Sequence, residues 1–339
     1  MEQRLVIVGA GLAGLTAARE AISPSDPEQR RWPAAAVTMI DKARSPGGRL
    51  ATRRIGRATL DHGAQFFTVR SDRFRAEVDR WLADGVVAEW CRGFGPEPDG
   101  HPRYRGAEGM RGLTRHLERS LVADGVELVT GQQVSAVVPG PDHWTVVHER
   151  ADREPDHATA VVLTPPLPQA AAILAAGPVP LAPDHRRLLD RSTFHSVLAL
   201  LTVLDGDPRL PPPGALQQPD DPTFSFVADN RAKGISEVPA ATFHTNHELS
   251  ARLWSAGDRE VADTLLPPAA ALVAPATIVE HQVKRWRYSG PIEPHGEPCL
   301  LVAGRPGPLV VAGDGFAGAK VEGAFLSGAA AAAAAQPDA

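Results

Sequence analysis

Three glycines near the start of the chain are spaced for work on phosphates. Gly9-Ala10-Gly11-Leu12-Ala13-Gly14 fits the pattern G-x-G-x-x-G directly after the apolar run Arg4-Leu5-Val6-Ile7-Val8. Gly9 permits a tight turn, Gly11 lets backbone approach a pyrophosphate, and Gly14 lets the following helix pack closely on the strand. The first amides of that helix, at Leu12 and Ala13, then point their positive ends at the phosphates. In this strand-and-helix setting the string predicts a dinucleotide site. Asp41, closing the second apolar run at 36–40, is expected to accept hydrogen bonds from the adenosine ribose hydroxyls. It lies further from the motif than the usual spacing of about 20 residues. The Pro-, Ser- and charge-rich insertion at 23–35 accounts for the excess. Lys42 and Arg44 raise the question of a 2′-phosphate, which the acid at Asp41 argues against.

Two further marks separate FAD from NAD. Pro46-Gly47-Gly48-Arg49 follows the second run. Gly48 admits backbone close to the cofactor, and Arg49 offers a guanidinium to its pyrophosphate, which an NAD-only fold does not need. Near the other end, Gly313-Asp314 follows the apolar run at 309–312. Asp314 is expected on the ribityl hydroxyls, and the helix beginning near Val321 directs its amides at the flavin's N1 and O2. Such donors stabilise the anionic reduced ring.

The elements that must position these residues begin with a βαβ unit: strand 4–8, helix 12–21, loop 23–35, strand 36–40. Amphipathic helices are expected at 72–83 and 109–123, the latter with Met110, Leu113, Leu117 and Leu121 at helical spacing. Strands follow at 125–130 and 133–138, then 144–147, which pairs with 133–138 across Pro139-Gly140-Pro141. Another buried strand, 160–163, stops at Thr164-Pro165-Pro166. The segments 196–204, 223–228, 240–245 and 277–285 read as longer strands of a second sheet. Helices are expected at 247–256 and 258–266, with Pro-rich connectors at 207–222 and 286–298. The alanine-rich stretch 324–335 is too short to span a bilayer and reads as a C-terminal helix.

Several strings carry a family resemblance: Asp41-Lys42, Pro46-Gly47-Gly48-Arg49, Asp61-His62-Gly63-Ala64-Gln65-Phe66-Phe67, Arg285-Trp286-Arg287-Tyr288 and Gly313-Asp314-Gly315-Phe316. Together they resemble the renalase family and, more broadly, the bacterial NAD/FAD-dependent oxidoreductases of the flavin amine-oxidase superfamily. The resemblance implies an α/β fold of two domains like that of p-hydroxybenzoate hydroxylase. A Rossmann-type FAD-binding domain (1–75, 110–168 and 296–339) would join a substrate domain with a mixed or antiparallel sheet (76–109 and 169–295). It implies non-covalent FAD touched by Ala13, Arg49, Gln65 and Phe66; Leu12, Lys42 and Val134 complete the expected set of cofactor contacts. It also implies an oxidase that returns isomeric dihydropyridines of NAD(P)H to NAD(P)+ and passes the electrons to oxygen, giving hydrogen peroxide. Ala51-Thr52-Arg53-Arg54 and His62 follow the bacterial rather than the animal pattern, and the insertion at 23–35 is the chain's own.

Oxidising a dihydropyridine is hydride transfer that restores aromaticity, so it needs positioning rather than a strong base. The sequence shows no Ser/His/Asp order, no metal-spaced His/Cys cluster and no catalytic carboxylate pair. Cys91 and Cys299 form no C-x-x-C pair, so a redox disulfide beside the flavin is not expected. His62, Phe66, His244, Trp286 and Tyr288 are the candidates for the substrate pocket. His244 reads first as a satisfied structural histidine, Trp286 serves equally as core filler, and Lys284 reads first as solvated. Oxidation of a small amine is the main rival reading, and a non-catalytic flavin-binding protein the other. A net charge of −5 gives no reason to expect nucleic acid or an anionic membrane as partner. The start of the chain shows no secretory pattern, so the cytoplasm is expected.

Overall fold

The computed structural model describes residues 3–95 and 97–336 of the 339-residue chain. By its contacts the chain divides into two compact units, residues 1–48, 114–193 and 290–339 in the first, and 49–113 and 194–289 in the second. Residues 49–75, expected with the nucleotide-binding part, thus fall in the second unit. Residues 169–193, expected with the substrate part, fall in the first. Among the described residues no helix is long and apolar enough to cross a membrane.

The first unit is built on a six-stranded sheet. Its order is Leu300–Ala303, Leu309–Val311, Ala160–Leu163, Leu5–Val8, Val37–Asp41, Glu127–Thr130. All neighbours are parallel except the first pair, which is antiparallel. Leu5–Val8 and Ala160–Leu163 are buried throughout, as expected of strands covered on both faces. Because Leu5–Val8 is flanked by a strand that follows it and one that comes much later, its carboxyl end is a topological switch point, where such sheets open a crevice.

Small residues set the packing above this sheet. A Cβ on Gly14, in the helix Leu12–Ile22, would lie 1.9 Å from the Gly9 carbonyl oxygen. A Cβ on Gly328, in the C-terminal helix Val321–Ala334, would lie 2.2 Å from the Ala13 carbonyl. Both helices therefore approach more closely than any side chain permits. The insertion at 23–35 also contributes here: the buried Trp32 indole donates to the Ala335 carbonyl at 2.9 Å. A separate antiparallel sheet of Val134–Pro139, Trp144–His148 and Asp156–Ala158 contains the expected hairpin.

The second unit carries a five-stranded sheet in the order Ala215–Gln217, Phe224–Asp229, Ala240–Thr245, Phe194–Leu204, Ile278–Pro291. Alternation assigns its two faces. Leu198, Leu200, Val227 and Phe243 join Val261, Leu265 and Val273 of the helix Asp258–Val273 in one core. Leu201 and Ala240 point the other way, onto Ile55, Ala58 and Leu60 of the hairpin Thr52–Ile55/Ala58–Asp61. Two expectations are corrected. The strand Ile278–Pro291 continues into the segment expected as a connector at 286–298, which places Trp286 and Tyr288 on it. The helix Asp258–Val273 runs through Pro267 and Pro268, because the burial of Ala269 and Val273 in the core outweighs the lost backbone donors.

Candidate active site

In the first unit the glycine motif forms a narrow cradle. Gly9 turns with φ +101°, and Gly47 returns an amide to the Ala10 carbonyl at 2.9 Å, joining the Pro46–Gly48 turn to the motif. Gly11 and Gly48 face each other: a Cβ on Gly48, where φ is +52°, would lie 3.3 Å from the Gly11 Cα. Thr164, at the end of Ala160–Leu163, donates to the Val8 carbonyl at 2.9 Å and holds the strand end in place. Backbone bare of side chains beside a helix N-terminus fits the pyrophosphate of a dinucleotide.

Asp41, expected on a ribose, has a structural task in the turn. Its Oδ2 accepts the Ala10 amide at 2.6 Å and its Oδ1 the Ala43 amide at 2.7 Å, so it also shapes the glycine turn. Burial pushes its pKa up, and the two amides and Lys42 oppose that. Lys42 Nζ donates to Gln169 at 3.3 Å. Val134 is buried and paired with His148 on the three-stranded sheet. Gly313 has φ +139°, and its amide donates to Ser327 Oγ at 2.8 Å, tying the Gly-Asp turn to the helix that Val321 opens. Asp314 is buried beside it.

In the second unit the Asp61–Phe67 segment passes over the sheet face that carries His244. Gly63 is obligatory here, since a Cβ would lie 1.9 Å from the Arg49 carbonyl oxygen. Asp61 and Lys233, both fully buried, meet at 2.7 Å. Asp61 Oδ1 also accepts from Thr52 Oγ1 at 2.6 Å and the Met110 amide at 2.8 Å, so its lone pairs are largely used. Gln65 links this pair to the histidines. Its Nε2 donates to the Asp61 carbonyl at 2.7 Å, and its Oε1 lies 3.4 Å from Lys233 Nζ. The His62 carbonyl accepts from Trp286 Nε1 at 2.6 Å and from His244 Nε2 at 3.2 Å. The His62 and Trp286 rings stack, 5.3 Å apart and 22° from parallel.

Burial keeps both imidazoles neutral. His244 is pushed down to about 4. His62 is likewise pushed down to about 4, by burial first and then by the positive field of Lys284, with Asp61 opposing. Its buried Nδ1 has no hydrogen-bond partner. Lys284 is itself lowered, by burial and by Arg53.

His62, Gln65, His244 and Trp286 are thus brought together, and other expected residues are not. Phe66 packs with Trp90, Phe94 and Phe226, its ring 5.1 Å from that of Phe94. Tyr288 stands edge-on to Phe194 at 5.7 Å. Arg49 Nη1 donates to the Tyr288 carbonyl at 3.2 Å. Sequence reasoning gave no role to Lys233 or to Asp61. The signal was faint: Lys233 is one of only four lysines in a chain whose cations are otherwise arginine, and a buried lysine demands a partner.

Comparison with known proteins decides the family. Residues 7–81 match the NAD(P)-binding Rossmann-like domain, and residues 94–336, most of the chain, match the flavin containing amine oxidoreductases. The chain belongs to the flavin containing amine oxidoreductase family. As a family member it is an FAD-dependent oxidoreductase, and the Gly11–Gly48 cradle fits that cofactor. Solved structures with the same fold include putrescine oxidase bound to putrescine, with TM-score 0.65 and 14% identity over 98% of both chains. An oxidoreductase from Methanosarcina mazei has TM-score 0.62 and 13% identity over 96% of this chain and 99% of its own. A fatty acid isomerase from P. acnes has TM-score 0.65 and 12% identity over 97% of both. Their differing activities show that this fold alone does not choose a substrate.

Proposed function

We propose that this oxidoreductase takes a hydride from a dihydropyridine, an isomeric dihydronicotinamide dinucleotide, and passes the electrons to oxygen. When bound, FAD supplies the two-electron acceptor. The net reaction converts the dihydropyridine, O2 and one proton into the pyridinium and hydrogen peroxide. Gly11 and Gly48, set by the turn at Gly9 and the close packing at Gly14, would hold the pyrophosphate, Asp41 the ribose, and Asp314 the ribityl chain. In the second unit the stacked His62 and Trp286 rings offer a flat surface to a planar ring; His244 fixes the carbonyl of His62 that anchors the indole, and Gln65 holds the flanking carbonyls of Asp61 and Gly63.

The observation that carries this reading is the flat surface of the stacked His62 and Trp286 rings, beside which His62 and His244 are weak bases, both pushed down to about 4. At neutral pH neither takes a proton from an ammonium group, so this face suits a hydride donor that needs no base. Amine oxidation is the second reading, favoured by the family description itself. Aerobic turnover with isomeric dihydronicotinamide nucleotides should yield NAD(P)+ and hydrogen peroxide in equal amounts. Release of ammonia and peroxide from a small amine, with the dihydronicotinamides untouched, would give the second reading the decision.

A further inference from the structure

We propose that Arg53 and Lys284 form an anion-binding subsite beside the His62–Trp286 ring pair, which takes a phosphate or carboxylate of the substrate. This rests on the second unit's face being the substrate site. The geometry comes from two strands. Arg53 stands opposite Leu60 in the hairpin register, two residues before His62. Lys284 is two residues before Trp286 on the strand Ile278–Pro291, and a period of two puts both side chains on one side of it. Trp286 is in turn stacked on His62 and bonded to its carbonyl. Register thus places Arg53 near the His62 segment and Lys284 on the Trp286 strand.

Among the described residues neither Arg53 nor Lys284 has a carboxylate within ion-pair distance. The acid whose field reaches Lys284, Asp258, is already held by Arg285 at 2.8 Å. Elsewhere arginines sit on acids, as Arg153 does on Asp156 and Arg103 on Asp99. Each of the two cations also lowers the proton affinity of His62, and Arg53 lowers that of Lys284. A half-buried lysine pressed by a second cation, next to the unpartnered Nδ1 of His62, is disfavoured when empty and relieved by an anion. An ammonium-bearing substrate would meet repulsion at the same place.

The test reads binding, without turnover, as perturbation of the flavin absorption in the oxidised holoenzyme. The probes are nicotinamide riboside, nicotinamide mononucleotide and nicotinic acid riboside, which differ in phosphate and carboxylate. All three carry the pyridinium charge, and at least one probe that adds an anionic group should bind roughly tenfold more tightly than nicotinamide riboside, which has none, at low salt, the scale of one charge-assisted contact. Arg53→Gln and Lys284→Gln should each erode that preference, the double variant should abolish it, and Arg53→Lys should retain it. Equal binding of all three probes, no perturbation by any, or a preference that survives in the double variant would overturn the subsite. A dihydropyridine that is oxidised without any anion preference would sink the subsite while leaving the proposed reaction standing. An anion preference without such oxidation would do the reverse.

Discussion

At the scale of single residues, the Asp61–Lys233 pair is the most consequential feature of the second unit. Burying two charges gains little net stability, but removing one partner leaves the other uncompensated. Lys233→Met should therefore destabilise the protein by about 3–5 kcal/mol, measured by urea unfolding. Asp61→Asn with Lys233→Met should recover much of that loss. If the single variant is as stable as the parent, the pair does not organise this site. The neutral histidines make a second prediction. His62 and His244 fall from an ordinary 6.5 to about 4 in the folded chain. Between those values the unfolded chain binds more protons, so stability is complete above pH 6.5 and is lost as pH falls toward 4. Each contributes on the order of 1–3 kcal/mol, and His244→Gln should flatten the fall in unfolding midpoint between pH 7 and 4.5.

At the scale of elements, close approach governs the cofactor site. Gly14→Val must push the motif helix off its strand, because even a Cβ would meet the Gly9 carbonyl at 1.9 Å. The variant should purify with little flavin, read from the ratio of flavin to protein absorbance. Gly328→Val should lower flavin content too, by forcing the C-terminal helix away from Ala13. Retention of full flavin in the Gly14 variant would contradict the cradle. The first unit was largely legible in the sequence, since Leu5–Val8 and Ala160–Leu163 are continuous apolar runs, Val37–Asp41 is interrupted only by Thr38 before its closing acid, and turn residues follow them. The hairpin Thr52–Ile55/Ala58–Asp61 was not, because Arg53 and Arg54 are both exposed and interrupt the alternation, leaving Ile55, Ala58 and Leu60 as its few buried apolar residues. The same holds for the site: glycines announce themselves locally, whereas Lys233 reaches Asp61 across 172 positions of sequence. The reach of Ile278–Pro291 was hidden by its mixed burial, which shows no clean alternation.

At the scale of the whole molecule, family and fold establish a flavin oxidoreductase, and the proposed substrate is argued from the chemistry of one sheet face. Relatives of the fold include a putrescine oxidase and a fatty acid isomerase, and we propose that the discrimination in this chain lies in side chains such as His62, Trp286, Arg53 and Lys284. The measurement that bears most directly on this account is anaerobic mixing of the oxidised holoenzyme with isomeric dihydronicotinamide nucleotides and, separately, with small amines. The account predicts that the flavin absorption bleaches with a dihydronicotinamide and returns in air, while amines leave it unchanged. Bleaching by an amine, with every dihydronicotinamide isomer inert, would contradict it.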